Sequence, residues 1–272
     1  MTSGQDLTDL VNGYAEHEHL AIRQDVYKRF NQPRDLNLFE WVIDRLSLNS
    51  GQRVLDVGCG NGAFHPSLLA RGAEIVSLDY SPAIVGFLRR SDASGKSKIV
   101  CASADAIPLK SHSCDAAIAN FMLHYFDPAA RQCVLREIKR VVRPGGAVVS
   151  ANFAPDLVTR LRGLHHEAAE ATGFEADTSD FHIFNMASLA DWHSVFPDVR
   201  TEMLSSKFVV TETRPLLKYY SSFLLDKVRD RTPDNAHRLP MIAWMADQIE
   251  AIIAKEGAFE DPTSAGAFIA AA

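Results

Sequence analysis

Short apolar runs alternate with amphipathic stretches between residues 50 and 155. Five runs have the length and composition of buried strands: Arg53–Val57, 74–78, 98–101, 115–120 and 147–153. The stretches between them have apolar residues at helical spacing, and two of these helices begin with a cap followed by proline, at Ser81-Pro82 and Asp127-Pro128. This alternation predicts right-handed βαβ units, and therefore an α/β fold whose parallel sheet is covered by helices on both faces.

The segments on either side of this alternation follow other patterns. Residues 5–48 are predicted to be helical up to the turn at Asn49-Ser50-Gly51. Residues 154–198 and 211–258 are less regular and rich in aromatic side chains, which indicates an apolar-lined lid. The run 266–271 is predicted to be a last strand. We therefore expect a single domain with three parts: an N-terminal helical cap (1–50), a core (51–153), and a lid that also completes the sheet (154–272).

Composition excludes several classes of function. The chain has 272 residues and no apolar run as long as a membrane span, so no membrane insertion is expected. A net charge of −6 disfavours binding to the phosphates of nucleic acids. No signal peptide opens the chain, and the four cysteines lie far apart in segments predicted to be buried (Cys59, Cys101, Cys114 and Cys133). These features predict a reduced, cytoplasmic protein.

The most informative motif is the nine-residue run VLDVGCGNG at residues 54–62. It predicts a buried strand that turns through three glycines into a helix, so that bare backbone and a helix N-terminus face a ligand. The run satisfies the spacing G-x-G-x-x-G/A, and Asp79, about 20 residues further on, fits the ribose hydroxyls of a nucleotide. Both a nicotinamide dinucleotide and S-adenosylmethionine are compatible with this pattern.

Asp56 favours the second cofactor. A carboxylate inside the strand is costly to bury without a cationic or hydrogen-bonding partner. A pyrophosphate would repel it, whereas the ammonium and sulfonium of S-adenosylmethionine would stabilise it. Asp105, after the third strand, can accept a hydrogen bond from an adenine amino group, and Asn120 ends the fourth strand. An NAD(P)-dependent oxidoreductase and a non-catalytic S-adenosylmethionine-binding protein stay open as alternatives.

Five motifs together resemble the class I S-adenosylmethionine-dependent methyltransferases: VLDVGCGNG, LDYS, ADAIPL, CDAAIANFMLHYF and LREIKRVVRPGG. Within that class they resemble the small-molecule branch with ubiquinone-type and malonyl-carrier-protein-type enzymes. The resemblance covers residues 50–155. It implies a Rossmann-like three-layer sandwich with a seven-stranded, mostly parallel sheet of order 3-2-1-4-5-7-6. The antiparallel last strand would be 266–271, and its neighbour 199–208.

The same resemblance implies S-adenosyl-L-methionine as cofactor and S-adenosyl-L-homocysteine as product. Asp56, Gly58 and Gly60 would line the methionine half, and Asp79 would take the ribose hydroxyls. Tyr80 would pack on the adenine, Asp105 and the Ala106 backbone would bind its edge, and the Asn120 carbonyl would meet the amino group. The complete set of predicted cofactor-binding residues is Tyr14, Arg23, Asp56, Gly58, Cys59, Gly60, Asn61, Asp79, Tyr80, Ser81, Asp105, Ala106 and Asn120. Tyr14 resembles a capping tyrosine of this branch, and Arg23 is a candidate for the cofactor carboxylate.

Methyl transfer from a sulfonium requires an acceptor that is held in line and shielded from water. A base is needed only for an acceptor that is protonated, and the candidates are His124 and His182. No metal is expected, because the adjacent His165 and His166 diverge on a helix.

The expected partner is a small, partly apolar methyl acceptor. Analogy within this branch favours methylation at oxygen, with nitrogen or carbon as alternatives, and the aromatic lid indicates secondary metabolism. The segment after the fourth strand, Asn120-Phe121-Met122-Leu123, lacks the Asn/Asp-Pro-Pro-aromatic run of many enzymes that methylate nitrogens of nucleic acid and protein. Nucleic acid is therefore not predicted as a substrate, and the sequence leaves the oligomeric state open.

Overall fold

The computed structural model describes residues 7, 10, 16–91, 95, 97–179, 184–229 and 231–272, without the side chains of residues 16 and 17. Its helices and strands, in chain order, are α1 (Glu16–Phe30), β1 (Asn31–Gln32), α2 (Leu38–Asp44), β2 (Arg53–Val57), α3 (His65–Ala70), β3 (Glu74–Asp79), α4 (Pro82–Ser91), β4 (Ser97–Cys101), β5 (Cys114–Ile118), α5 (Pro128–Val141), β6 (Val142–Phe153), α6 (Thr159–Thr172), α7 (Leu189–His193), β7 (Arg200–Leu204), β8 (Lys207–Val210), α8 (Thr213–Phe223), α9 (Arg238–Glu256), β9 (Phe259–Pro262) and β10 (Ala265–Ala271).

The chain divides into two compact units. The first, called here the helical unit, consists of Met1–Asp35, Asp156–Phe181 and Ser205–Ser264. The second, called here the sheet unit, consists of Leu36–Pro155, His182–Leu204 and Ala265–Ala272. The grouping into cap, core and lid stays a prediction.

The sheet unit contains seven strands in the order β4-β3-β2-β5-β6-β10-β7. Numbered within this sheet alone, that order is the predicted 3-2-1-4-5-7-6. Strands β2, β3, β4, β5 and β6 pair in parallel, while β10 is antiparallel to both β6 and β7. The predicted Rossmann-like sandwich with an antiparallel last strand is confirmed.

Helices cover both faces of this sheet. One face packs against α5 and the segment that contains α7, with Val134, Leu135 and Trp192 in its core. The other face packs against α2 and α3 through residues such as Ile43 and Leu68. Trp192 is fully buried and stacks on Phe268 of β10, with ring centroids 5.2 Å apart. Three rings from the aromatic-rich segment 154–198 therefore fill the core and do not line a cavity: Phe184, Trp192 and Phe196.

The helix after the glycine run begins only at His65, three residues beyond the last glycine of the run. Gly60 and Gly62 have φ angles of +52° and +76°, which a right-handed helix cannot contain. The residues Arg143-Pro144-Gly145-Gly146, whose composition is typical of a turn, form an irregularity within β6 instead. The β5 partner shifts from Val142 to Ala147 across it.

The predicted strand 199–208 is wrong as one element. β7 ends at Leu204, and β8 starts at Lys207 in a second sheet of order β1-β8-β9. The chain leaves the seven-stranded sheet at Ser205 and Ser206. The Ser206 carbonyl accepts a hydrogen bond from the Thr263 N–H at 2.9 Å. Polar residues with partners outside the seven-stranded sheet thus end the strand early.

The helical unit combines α1, α6, α8 and α9 with the antiparallel sheet β1-β8-β9. An aromatic cluster lies in its core, where the Phe208 ring is 4.8 Å from Tyr27 and 5.1 Å from Tyr219. His165 is fully buried on α6. Its Nε2 lies 2.8 Å from the Lys227 carbonyl oxygen, and its Nδ1 lies 3.0 Å from the Tyr220 hydroxyl. Since a carbonyl oxygen only accepts, Nε2 carries the proton and Nδ1 accepts from Tyr220.

The cysteines only partly follow the prediction. Cys59 and Cys114 are buried, but Cys101 and Cys133 are exposed. Cys101 ends β4, an edge strand, and Cys133 lies on the solvent side of α5. Every helix in the described part of the chain is too short or too polar to cross a membrane. The described residues contain no group of three or more His, Cys, Asp or Glu side chains that could hold a metal ion.

Candidate cofactor and acceptor site

The carboxyl ends of β2, β3 and β5 lie side by side in the sheet unit. The chain passes from β2 to β3 on one side and returns to β5 on the other, so a crevice opens where the strand order reverses. Ligands of open α/β sheets bind outside the carboxyl ends of the strands at such a point. Most of the predicted cofactor-binding residues lie on the segments that follow these three strands.

The glycine loop after β2 is tied to β3 through its backbone. The N–H groups of Gly58 and Cys59 donate to the Leu78 carbonyl at 2.8 and 3.0 Å. Gly58 has a φ of +66°, and a Cβ added there would lie 2.9 Å from Cβ of Met122. The segment after β5 therefore rests directly on the loop, and only glycine permits this close approach. Asn61, half-buried, continues the loop towards α3.

Asp79 links the loop to the next helix. One carboxylate oxygen accepts the Gly60 N–H at 3.0 Å, and the other accepts the Ser81 N–H at 2.9 Å. Each oxygen keeps a further lone pair for a ligand hydroxyl. The Ser81 hydroxyl accepts the Ile84 N–H at 3.4 Å as the cap of α4. Tyr80, between these two residues, is 79% exposed, so its ring is accessible to a planar ligand.

The turn after β4 lies beside β3, because the Ala102 N–H donates to the Asp79 carbonyl at 3.0 Å. Asp105 and Ala106 are both exposed on this turn. The Ala106 N–H donates to the Ser103 carbonyl at 3.3 Å, whereas the Asp105 carboxylate reaches solvent. The turn can therefore offer a carboxylate acceptor to the edge of a base.

Asp56 is 2% exposed in the centre of the sheet. His65 Nε2 lies 3.3 Å from its Oδ2, and this oxygen accepts no hydrogen bond from the described residues. Burial raises the pKa of the neighbouring Cys59 thiol far above its usual range, and the charges of Asp56 and Asp79 raise it further. The space below the glycine loop is thus negative and suits a cationic ligand group.

The chain leaves β5 in a strained conformation. Phe121 has a φ of +53°, which is rare for a bulky side chain and is found preferentially at functional sites. Two hydrogen bonds to Ala151 stabilise this conformation. The Ala151 N–H donates to Oδ1 of Asn120 at 2.8 Å, and the Ala151 carbonyl accepts the Phe121 N–H at 2.9 Å. Asn120 is 7% exposed, and its Nδ2 has no hydrogen-bond partner among the described residues. The Phe121 ring lies 4.6 Å from that of Phe153.

His124 lies on a single 3₁₀ turn after β5, with its ring 4.2 Å from that of Tyr125. Arg131, 1% exposed on α5, holds this turn by donating to the carbonyls of Leu123 at 3.2 Å and Phe126 at 2.9 Å. It also forms an ion pair with Asp191. Sequence analysis missed Arg131, although its position shares the helical face of Val134, Leu135 and Ile138.

Three predicted residues are not part of this arrangement. Tyr14 and His182 lie outside the described residues. Arg23 belongs to the helical unit, where it donates to the Ser222 carbonyl at 2.8 Å. The assignments of individual residues to the cofactor, and of His124 and His182 to catalysis, stay predictions.

Residues 55–150 match the family model described as a methyltransferase domain. Over this segment the match confirms the resemblance to the class I S-adenosylmethionine-dependent methyltransferases, a family that uses the predicted cofactor. The domain begins within β2 and ends within β6, and it contains the glycine loop, Asp79, Asp105 and Asn120.

The similarity to curated proteins covers part of the chain. The chain is 32% identical over 132 residues to the carboxy-S-adenosyl-L-methionine synthase of Yersinia pestis, which covers 45% of this chain and 49% of that protein. The chain thus spans about half the length of the curated relatives it matches.

Solved structures share the fold along most of the chain. Phosphoethanolamine N-methyltransferase 2 of Haemonchus contortus, solved with S-adenosyl-L-methionine, has a TM-score of 0.55 and 17% identity, covering 100% of this chain and 60% of that one. The [4+2]-cyclase SpnF has a TM-score of 0.51 and 16% identity, covering 86% of this chain and 79% of that one. Since one fold carries both activities, the fold does not identify the reaction.

Proposed function

We propose that the whole chain transfers a methyl group from S-adenosylmethionine to a small, partly apolar metabolite. The observation that carries this proposal is the Asp79 carboxylate, which accepts the N–H groups of Gly60 and Ser81 and keeps lone pairs free at the switch point of the sheet. The methyltransferase domain that surrounds it supports the same conclusion.

The residues at the site fit this cofactor in two respects. The Asp56 oxygen without a hydrogen bond suits an ammonium group, and the Gly58 backbone leaves no room for a side chain beside Met122. Asp56, Gly58 and Gly60 would hold the methionine half, and Asp79 the ribose. Tyr80 and Asp105 would hold the adenine. The bound cofactor supplies a methyl group already activated on a sulfonium.

The chain's own part in the reaction is to align the acceptor and exclude water. The half-buried rings of Phe121 and Phe153 offer an apolar surface at the ends of β5 and β6, and Nδ2 of Asn120 offers a donor. His124 would accept the proton from a hydroxyl acceptor. We propose methylation at oxygen, and a role in secondary metabolism, on the analogy with the small-molecule branch.

Replacing Asp79 with alanine is expected to weaken S-adenosylhomocysteine binding by roughly 1–3 kcal/mol. The change removes the ribose acceptor and also releases the Gly60 and Ser81 N–H groups. Isothermal titration calorimetry measures the affinity, and Glu74→Ala, at the exposed opposite end of β3, is the matched control. Asp79→Asn keeps one acceptor oxygen and should lose less. Unchanged affinity in Asp79→Ala would mean that this carboxylate does not contact the ribose.

If His124 is the base, His124→Gln should lower kcat about 100-fold and leave S-adenosylhomocysteine affinity unchanged, because the glutamine amide cannot take the proton. The matched control is His112→Asn, an exposed histidine with a φ of +55° that asparagine tolerates. The same assay applied to His182→Ala tests the second candidate. Full activity in both variants would mean that the acceptor needs no base from either histidine.

Two measurements test the function itself. Calorimetry with S-adenosylhomocysteine and with NADH separates this proposal from an oxidoreductase, which would bind only NADH. Mass spectrometry with methyl-deuterated S-adenosylmethionine over a panel of hydroxyl, amine and carbon acceptors then identifies the acceptor atom. Cofactor binding without any labelled product across the panel would favour the non-catalytic binding protein. The cytoplasmic location and the exclusion of nucleic acid stay predictions, and RNA and DNA belong in the panel.

A second candidate function comes from the curated relative. The match over 132 residues with a carboxy-S-adenosyl-L-methionine synthase makes a carboxylated form of the cofactor an alternative ligand or product. Mass spectrometry of the small molecule that purifies with the protein distinguishes the two forms, because the alternative is heavier by one carboxyl group.

A further inference from the structure

Three polar side chains meet below the glycine loop and are shielded from solvent. Asp56 on β2 is 2% exposed, Ser77 on β3 is 0% exposed, and His65 at the start of α3 is 9% exposed. His65 Nε2 lies 3.3 Å from Oδ2 of Asp56 and 3.0 Å from the Ser77 hydroxyl. The family match assigns no role to this histidine.

The charge of Asp56 needs a partner. Taking an isolated carboxylate out of water is strongly unfavourable unless a cation or several donors compensate it. In the described part of the chain, His65 is the only basic side chain within 4 Å of this carboxylate. A protonated imidazole compensates the charge, and the Ser77 hydroxyl oxygen can share the Nε2 proton.

The imidazole is also fixed against the loop that would hold the cofactor. A Cβ added at Gly62 would lie 2.7 Å from Nδ1 of His65 and 3.0 Å from a methyl group of Leu88. The ring therefore lies between the third glycine of the loop and the Asp56 carboxylate. A change in its charge acts directly on both.

We propose that His65 is a positioning residue that acts through Asp56 and exchanges a proton when the cofactor binds. This inference rests on the proposed function, because it requires the cofactor's ammonium group to approach Asp56. In the cofactor-free protein the protonated imidazole neutralises the carboxylate. When the ammonium group takes over that role, two cations would compete for one carboxylate, so the imidazole proton leaves to the solvent and no other bond changes.

The other groups around the cluster do not supply this proton. Burial and neighbouring negative charge keep the Cys59 thiol protonated, since they raise its pKa. Glu40 on α2 is bound to Ser67 and Arg71. On the α4 side the loop meets the apolar Leu88. A proton released on binding is therefore assigned to His65.

Calorimetric titration of the full-length protein with S-adenosylhomocysteine measures this proton. Measured at several pH values, the apparent binding enthalpy should differ between two buffers of different ionisation enthalpy and report release of up to about one proton. Wherever the proton is released, affinity should rise with pH, at most about tenfold per pH unit. His65→Gln keeps a nitrogen near the Nε2 position without titrating, so it should bind with no proton release and a flat pH profile. His193→Gln, an exposed histidine on α7, should behave like the wild type.

The outcomes separate this inference from the proposed function. Absence of S-adenosylhomocysteine binding at any pH overturns the function. Binding with the same enthalpy in both buffers overturns the role of His65 and leaves the proposed function intact. Proton release that persists in His65→Gln has the same consequence. If circular dichroism shows that His65→Gln does not fold, Asp56→Asn removes the carboxylate that holds the proton, and its binding should again release none.

Discussion

Replacing Arg131 with alanine is expected to lower the free energy of unfolding by about 3–5 kcal/mol, because it removes a buried guanidinium with its hydrogen bonds and leaves a cavity. Arg131 is 1% exposed, and its partners among the described residues include the carbonyls of Leu123 and Phe126 and the partly exposed Asp191 carboxylate. Its guanidinium carbon lies 4.3 Å from the centre of the Phe184 ring. Removal takes a donor from both carbonyls and from the carboxylate, and leaves a cavity against the ring.

Urea denaturation followed by circular dichroism measures the loss. The matched control is Arg136→Ala on the same helix, an exposed site where a change within about 0.5 kcal/mol is expected. Arg131→Lys keeps the charge but not the planar guanidinium. Its loss of stability should therefore lie between those of Arg131→Ala and Arg136→Ala. If Arg131→Ala were no more destabilising than Arg136→Ala, the buried network would contribute nothing to folding.

The second large effect is a dependence of stability on pH. Burial lowers the pKa of His165 from 6.5 to about 4. Between those values the unfolded chain binds a proton that the folded protein excludes, so the free energy of unfolding falls as the pH falls. A pKa shift of this size contributes about 3 kcal/mol to the free energy of unfolding. This contribution is fully present above about pH 6.5 and is lost near pH 4.

Urea denaturation at pH 7 and at pH 4.5 tests this contribution. Carboxylates also titrate in this range, so the informative quantity is the difference between the wild type and His165→Gln. Glutamine can still donate to the Lys227 carbonyl, but it has no titrating group, and the variant should therefore lose less stability on acidification. His166→Gln, its exposed neighbour, should retain the wild-type profile. Equal acid sensitivity in His165→Gln and the wild type would contradict the assignment.

Local patterns were sufficient to predict the centre of the fold. The five parallel strands are short apolar runs, and Gly58, Gly60 and Gly62 all have the positive φ angles that glycine permits. The Asp127 cap is likewise confirmed, since its side chain accepts the Ala130 N–H. In these cases the sequence signal and the structural cause lie within a few residues of each other.

Long-range pairing explains most of what the sequence did not predict. β1 has two residues and pairs with β8, so that Asn31 faces Phe208, and β8 pairs in turn with β9. No local pattern encodes a sheet whose strands come from such distant segments. The aromatic rings near Trp192 have the composition of a lid but fill the core.

Within the site, the features that sequence analysis did not predict concern charged or ionisable side chains. Arginine is usually solvated, so an arginine among the apolar positions of α5 did not stand out. No local pattern marks His65 either, because its contacts with Asp56 and Ser77 come from two different strands. The prediction that a cationic group lies near Asp56 rests on general electrostatics. In the structure, the basic group in contact with Asp56 is a protein side chain, that of His65.

The position of β10 between β6 and β7 has a consequence for biosynthesis. A ribosome makes β7 before the strand that joins it to the rest of the sheet, with α8, α9 and β9 in between. Until β10 emerges, the nascent chain exposes the unpaired edge of β6 and an isolated β7, which are both templates for intermolecular association. Chaperones that bind extended segments should therefore contact this protein after β7 has been made and before β10 emerges.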